Sequence, residues 1–144
     1  MRKLFLAIVV SLVSLPCLAA EIGEPDMATY AISGKDGQPS RMQIRLSRKP
    51  DKWLMEGKEG DAPWKSISCD RACEYRTSTE NETTSYLGAF PAEMQGQFDM
   101  ACIQNVANAF CRVTRKDNPS IGGYAFVALV TGTPIPMTLI RVEP

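Results

Sequence analysis

Hydrophobic and polar residues alternate along much of the chain in short runs, the pattern of half-buried β-strands. The clearest run is 41–47, where Met42, Ile44 and Leu46 alternate with polar side chains. Turn residues such as Gly, Pro, Asn and Asp separate this run from its neighbours. Further strands are predicted at 27–33, 52–56, 98–104, 109–115, 124–130 and 137–142.

One segment carries helical signals instead. Thr79 and Glu82 match a capping box, which predicts a short helix over 80–87 that ends before Pro91. Short strands separated by turns, with one short helix, indicate a mainly β fold. We expect a small antiparallel β barrel or sandwich, stapled by disulfides.

The first residues follow a different pattern. Two basic residues precede an apolar stretch at 4–15, and two alanines at positions 19 and 20 follow it, as in a secretory signal peptide. We expect a signal peptide at 1–19, cleaved after 19 or 20, and a single β-rich domain at 20–144 that is periplasmic or secreted. The apolar stretch is shorter than the about 20 residues of a membrane span, so no transmembrane span is expected in the mature chain.

Without Cys17 of the predicted signal peptide, the mature chain has four cysteines, Cys69, Cys73, Cys102 and Cys111. An even number in an oxidising compartment predicts two disulfides. One interpretation pairs Cys69 with Cys73 at the base of a hairpin, and Cys102 with Cys111 across a second hairpin centred on residues 105–108.

The competing interpretation is a helix over 99–110. Ile103, Val106 and Phe110 would then share one helical face. Such a helix would separate the last two cysteines by about 13.5 Å along its axis, which is beyond the reach of a disulfide. The four cysteines would then pair crosswise, and the sequence leaves this choice open.

Composition and motifs exclude several classes of function. Lys plus Arg and Asp plus Glu both number 16, so no strong net field indicates a nucleic-acid partner. The chain has no histidine, no serine in a nucleophile elbow and no Gly-rich phosphate loop. The cysteines lack the usual spacing of a zinc site. We therefore expect no catalytic residues, no metal site and no cofactor.

Two surfaces are candidates for contact with a protein partner. A basic run begins in the strand at 41–47, and apolar residues surround the start of the last strand. The candidate partner-binding residues are Arg41, Arg45, Arg48, Lys49, Ile135 and Met137. The plainer interpretation of both is a solvated strand face and loop packing.

A closed barrel would offer a different kind of site, a cavity for a small apolar ligand. The candidate lining residues are Trp53, Trp64, Tyr124 and Phe126. The plainer interpretation is that these aromatic residues fill the core.

These observations favour a small periplasmic, non-catalytic binding protein that acts by protein–protein contact. An enzyme inhibitor or an immunity protein against a secreted toxin is of this kind, with its protein partner in the cell envelope. A disulfide-stapled scaffold suits this function because rigid loops lose little entropy on binding. The first alternative is a small-molecule or lipid carrier with a β-barrel cavity, and the second is an envelope-associated structural subunit.

Overall fold

The computed structural model describes residues 21–67 and 73–144. The predicted signal peptide lies outside the described residues. Nine antiparallel strands form one sheet that curls into a half-barrel. The strands are β1 Ala28–Ser33, β2 Pro39–Lys49, β3 Lys52–Glu59, β4 Lys65–Ser66, β5 Arg76–Thr77, β6 Phe98–Gln104, β7 Asn108–Arg115, β8 Gly122–Ala128 and β9 Ile135–Glu143.

The expected mainly β fold with one short helix is confirmed. The helix α1 spans Glu80–Leu87, where the capping box predicts it, and Thr79 accepts a hydrogen bond from the Glu82 backbone. A single helical turn, α2, follows at Ala92–Gln95, and a 3-10 turn at Glu24–Asp26 precedes β1. Each strand predicted from alternation is present, with bounds that differ by a few residues.

The order of the strands across the sheet is β4-β3-β2-β1-β9-β8-β7-β6-β5. The first and last long strands, β1 and β9, are therefore neighbours in the middle of the sheet. The outermost strands, β4 and β5, follow each other in the chain but lie at opposite edges.

This placement of the edge strands requires the sheet to curl. About ten residues lead from Ser66 to Arg76, and such a length spans at most about 33 to 36 Å. In a flat sheet, strands spaced about 4.8 Å apart would hold the two edges roughly 38 Å apart. The connection can reach across only because the edges approach each other, and Ile67 and Tyr75 at its two ends pack against the same core.

The same placement shows that the hairpin expected around Cys69 and Cys73 is wrong. Lys65–Ser66 pairs with β3, whereas Arg76–Thr77 pairs with β6, so the two segments are not partners. Local spacing suggested a hairpin, but each segment finds a longer strand elsewhere in the sheet. Cys73 is disulfide-bonded, and its predicted pairing with Cys69 falls on a residue outside the described residues.

For the second cysteine pair, the hairpin is confirmed and the helix is wrong. Cys102 lies opposite Cys111 in the β6–β7 pair and forms a disulfide with it. Their Cα atoms are 4.2 Å apart, as in the non-hydrogen-bonded positions of an antiparallel pair. The Asn105 side chain accepts hydrogen bonds from the backbone N–H groups of Ala107 and Asn108, which favours a turn over a helix.

The concave face of the half-barrel holds the larger hydrophobic core. Tyr30, Phe110, Leu46 and Met55 are fully buried there. The Tyr30 ring lies 5.2 Å from the Phe110 ring and 4.9 Å from the Tyr124 ring, measured between centroids. Aromatic side chains therefore fill the interior of the curl.

The opposite face of β6, β7 and β8 carries a second, smaller core. Cys102 and Cys111 lie at its centre with Val113 and Val127. The α1 residue Tyr86 packs onto this cluster and is 5% exposed. Alternation along β7 thus gives each face of the sheet its own core.

The segment that precedes β1 is tied to the concave face by a buried carboxylate. Asp26 is 1% exposed, and its Oδ2 accepts hydrogen bonds from Arg112 Nη1 at 2.6 Å and from the Gly23 N–H at 2.8 Å. The Tyr124 hydroxyl donates to Asp26 Oδ1, and the Tyr30 hydroxyl donates to the Asp26 carbonyl. The segment is therefore part of the core.

We expect Asp26→Asn to lower the free energy of unfolding by about 3 kcal/mol, because it removes the buried anion of the Asp26–Arg112 ion pair. Urea unfolding followed by tryptophan fluorescence measures this change. Glu24→Gln, an exposed acid in the same 3-10 turn, is the control and should change stability by less than about 0.5 kcal/mol. A loss below about 1 kcal/mol for Asp26→Asn would contradict the role assigned to this carboxylate.

Removal of the disulfide with Cys102→Ala and Cys111→Ala should lower stability by about 2 to 3 kcal/mol, the loop-closure contribution of a loop of this length. Urea unfolding of the double variant against the native protein checks the value. Equal stability of the two would show that the β6–β7 pairing does not depend on the cross-link.

Candidate binding groove

The basic residues predicted for partner contact lie in β2, and two of them are engaged within the chain. Arg45 donates to Glu56 Oε2 from Nε at 3.0 Å and from Nη2 at 2.7 Å, and its guanidinium lies 4.5 Å from the centre of the Trp64 ring. The Arg48 guanidinium lies 5.0 Å from the centre of the Trp53 ring. The predicted cationic run is thus partly neutralised and stacked.

The other candidate contact residues do not form one patch with these arginines. Arg41 and Lys49 are exposed near the two ends of β2. Ile135, 46% exposed, begins β9, and Met137 is half-buried opposite Phe126. Because β1 lies between β2 and β9, the structure does not bring the six residues together.

The aromatic residues predicted to line a cavity are also divided. Trp53, Tyr124 and Phe126 pack against the concave-face core. Trp64 lies instead next to charged groups, and the Lys58 ammonium is 4.9 Å from its ring centre. These four side chains therefore do not line a common cavity.

A groove of about 860 Å³ lies between α1 and the part of β6 that β5 does not cover. Its volume falls within the range of about 300 to 1,000 Å³ that is typical of ligand sites. Thr83, Thr84 and Leu87 form the α1 wall, and Phe98 and Met100 belong to the β6 wall. This groove is our candidate functional site.

The β6 wall is a sheet edge that β5 covers only in part. Arg76 pairs with Gln104, and Thr77 pairs with Ile103. The Ser78 N–H then donates to the Cys102 carbonyl at 2.9 Å, after which the chain turns away into α1. The backbone of β6 before Cys102 therefore borders the groove.

Two residues of this edge keep their backbone groups turned towards the groove. Phe98 and Met100 have the same strand phase as Cys102, so their N–H and C=O groups point away from β7. Among residues 21–67 and 73–144, no backbone group forms a hydrogen bond with them on that side. One wall of the groove is thus an unpaired strand edge.

A buried glutamine fixes α1 against β6. Gln104 is 6% exposed, and its Oε1 accepts hydrogen bonds from the hydroxyls of Ser78 and Tyr86, both at 2.6 Å. Its Nε2 donates to Glu82 Oε1 at 3.2 Å. The α1 wall of the groove is therefore held in place by a connected polar network.

Glu82 joins this network to the start of the helix. The Arg76 guanidinium donates to both of its carboxylate oxygens, at 2.7 and 2.9 Å, and the Thr79 N–H donates to Oε2 at 2.8 Å. These hydrogen bonds, that from Arg76 above all, lower the pKa of Glu82 to about 2.

The chain just before β5 is anchored by two asparagines of the β6–β7 turn. The Tyr75 hydroxyl donates to Asn108 Oδ1 at 2.7 Å, and Asn105 Nδ2 donates to the Cys73 carbonyl at 3.2 Å. Burial of the Tyr75 hydroxyl raises its pKa to about 12. These contacts place β5 beside the end of β6 and away from the groove-lining residues Phe98 and Met100.

The charged residues of the groove are mostly acidic. Its described lining includes the carboxylates of Glu21, Glu80 and Asp99 and a single ammonium, that of Lys116. Lys116 Nζ lies 3.8 Å from Asp99 Oδ1, and both side chains are about half exposed. Such an exposed pair is weak, so negative charge predominates in the described lining of the groove.

Within residues 21–67 and 73–144, no group of three or more Cys, Asp or Glu residues is arranged to hold a metal ion, and no helix is long and apolar enough to cross a membrane. Comparison with models of known protein families, with curated proteins and with solved structures gives no match for this chain.

Sequence reasoning did not find the groove. Its walls come from the start of the domain, from α1 and from β6, which are distant in the chain. The capping box places α1 correctly, but nothing in the local pattern of Phe98 or Met100 shows that their strand lies next to an edge.

The lowered pKa of Glu82 predicts acid sensitivity of α1. A carboxylate with a lowered folded-state pKa stabilises the fold above its unfolded pKa, near 4.5, and this stabilisation is lost as the pH falls towards about 2. The protection factors of the α1 amides, which correct for the pH dependence of intrinsic exchange, should therefore fall between these values. Glu82→Gln should remove this acid-dependent step, while Glu80→Gln, an exposed acid of the same helix, should keep it. An unchanged step in Glu82→Gln would assign it to another group.

Proposed function

We propose that this protein is a non-catalytic binding protein that acts by contact with another protein, through the groove between α1 and β6. The observation that carries this proposal is the unpaired edge of β6, where backbone N–H and C=O groups adjoin the apolar side chains of Leu87, Phe98 and Met100. Folded proteins normally cover or blunt such edges. An edge left open inside a formed groove favours a partner that covers it.

The rigidity of the surrounding scaffold supports this function. The Cys102–Cys111 disulfide joins the β6 wall to β7, and the Gln104 network holds the α1 wall. A preorganised site loses little conformational entropy on binding, so more of the interface energy remains as affinity. Inhibitors and immunity proteins are binding proteins of this type.

The proposed location is the periplasm or the extracellular space. The signal-peptide pattern at 1–19 supports export. A disulfide in a small domain supports an oxidising compartment. The partner is then expected in the cell envelope or among proteins that enter it.

A small-molecule carrier is the second candidate, and the volume of the groove favours it. About 860 Å³ is enough for a compact ligand. The site would be the groove rather than the interior of the curl, which Tyr30 and Phe110 fill.

Site-specific photo-cross-linking in the native host tests the proposal. A photoreactive amino acid at Thr84, an exposed position in the groove wall, should capture one protein. The same group at Thr131, an exposed threonine in the β8–β9 turn, is the matched control and should not. Adducts from both positions, or from neither, would contradict a protein-binding groove.

Native mass spectrometry of the protein purified from its host gives the second readout. We expect a stoichiometric complex with a mass of protein size, which Thr84→Arg abolishes and Thr131→Arg preserves. A bound mass below about 1 kDa that Thr84→Arg removes would instead establish the carrier.

A further inference from the structure

We propose that the groove binds an extended segment of the partner as an additional β-strand on the edge of β6, and that this segment alternates basic and apolar side chains. The inference rests on the proposed function, because it states how the partner is held. Three features of the β6 edge support it: the direction of the free backbone groups, the different side chains on its two faces, and the acidic residues beside it.

The direction of the backbone groups is fixed by hydrogen bonds on either side of the strand. The Lys116 N–H donates to the Gln97 carbonyl at 2.9 Å, on the β7 side. The Cys102 carbonyl accepts from Ser78, on the opposite side. Phe98 and Met100 follow the phase of Cys102, so their two N–H and two C=O groups face the groove. They can pair with a short strand that continues the line of β5.

The other open edge of the sheet is protected against such pairing. β4 pairs with β3 at Glu56 and Gly57, and the Ile67 N–H just after β4 donates to the Met55 carbonyl. Lys52 and Lys58 lie in the rest of β3, and edge lysines oppose the addition of a strand because pairing would desolvate their charge. No lysine interrupts the β6 edge between Phe98 and Cys102. The two edges therefore differ in their capacity to accept a strand.

Side chains of an added strand would alternate between two unlike environments. On the α1 face they would meet Phe98 and Met100, which pack with Leu87 in the smaller core. On the concave face they would meet Asp99 and Glu21. This difference matches a segment whose apolar residues face α1 and whose intervening residues face the carboxylates.

The position of Glu21 supports basic residues on the side of the added strand that faces the concave surface. Its carbonyl accepts a hydrogen bond from Arg112 Nη2 at 3.2 Å, and Arg112 lies opposite Ala101 in the β6–β7 pair. This hydrogen bond holds the backbone of Glu21, which lines the groove together with Asp99 and Ala101. The neighbouring Lys116 offsets the charge of Asp99 only weakly.

A capped heptapeptide of alternating lysine and valine is the probe, added to the ¹⁵N-labelled protein purified from its host. NMR amide exchange should show the Phe98 and Met100 N–H groups slowed by about tenfold or more at saturation. The Asp99 N–H, which already faces β7, is the internal control and should not change. A heptapeptide of alternating glutamate and valine should bind more weakly.

Charge variants test the acidic face. Glu21→Gln combined with Asp99→Asn should weaken binding of the lysine peptide by about two- to tenfold, as expected for exposed ion pairs. Asp51→Asn combined with Asp61→Asn, two exposed positions on either side of β3, also removes two negative charges but outside the groove lining, and should leave the affinity unchanged. Equal weakening by both changes would indicate attraction by net charge alone and would overturn the assigned acidic face.

N-methylation of alternate amides of the peptide tests for strand pairing. One alternate set of methyl groups should abolish binding and the other should not, because only one set of N–H groups of a strand faces β6. Tolerance of both sets, or binding without protection of Phe98 and Met100, would overturn strand addition. Protection that grows with protein concentration in the absence of peptide would identify a second copy of the chain as the occupant and overturn a separate partner.

Cross-linking at Thr84 and amide exchange of β6 together distinguish strand addition from protein binding in general. If Thr84 captures a protein but Phe98 and Met100 exchange freely in that complex, strand addition is wrong and protein binding stands. If Thr84 captures no protein, protein binding is wrong, even if the peptide pairs with the edge.

Discussion

The short connection between β4 and β5 is the constraint on which the rest of the fold depends. It joins two strands at opposite edges of a nine-stranded sheet, so the sheet has to curl and enclose its concave core. Ile67 and Tyr75 close that core from the two ends of the connection. The chain then has room for only two residues of β5 before α1 begins. The requirement that curls the sheet therefore also leaves part of β6 uncovered.

The strand β7 links the two cores and the candidate groove. Phe110 and Arg112 point to the concave face, where they meet Tyr30 and Asp26. Cys111 points to the opposite face and forms the disulfide with β6. Arg112 on one face of β7 thus fixes the segment that precedes β1, and Cys111 on the other face fixes the β6 wall of the groove. A change in the register of β7 would disturb both.

Local sequence signals predicted the elements well and their arrangement poorly. Alternation located the strands, and Thr79 with Glu82 located α1, because these signals act within a few residues. The order of the strands depends on contacts between distant segments, so the segments around Cys69 and Cys73 were wrongly expected to form a hairpin. The groove was missed for the same reason. The pairing of Arg45 with Glu56, which weakens the predicted cationic surface, also depends on strand register.

The hydrogen bonds of the buried Asp26 carboxylate constrain the order of folding. Its partners Arg112 and Tyr124 are 86 and 98 residues away in the chain, and β1 reaches its place in the sheet beside β9. Contacts of such long range make folding slow, because their loop-closure entropy is lost before any of them forms. A chain that emerges with its N-terminus first must hold Asp26 in water until the last strands appear. The half-barrel can therefore close only when synthesis is nearly finished, because β1 pairs with β9, the last strand of the sheet to be made.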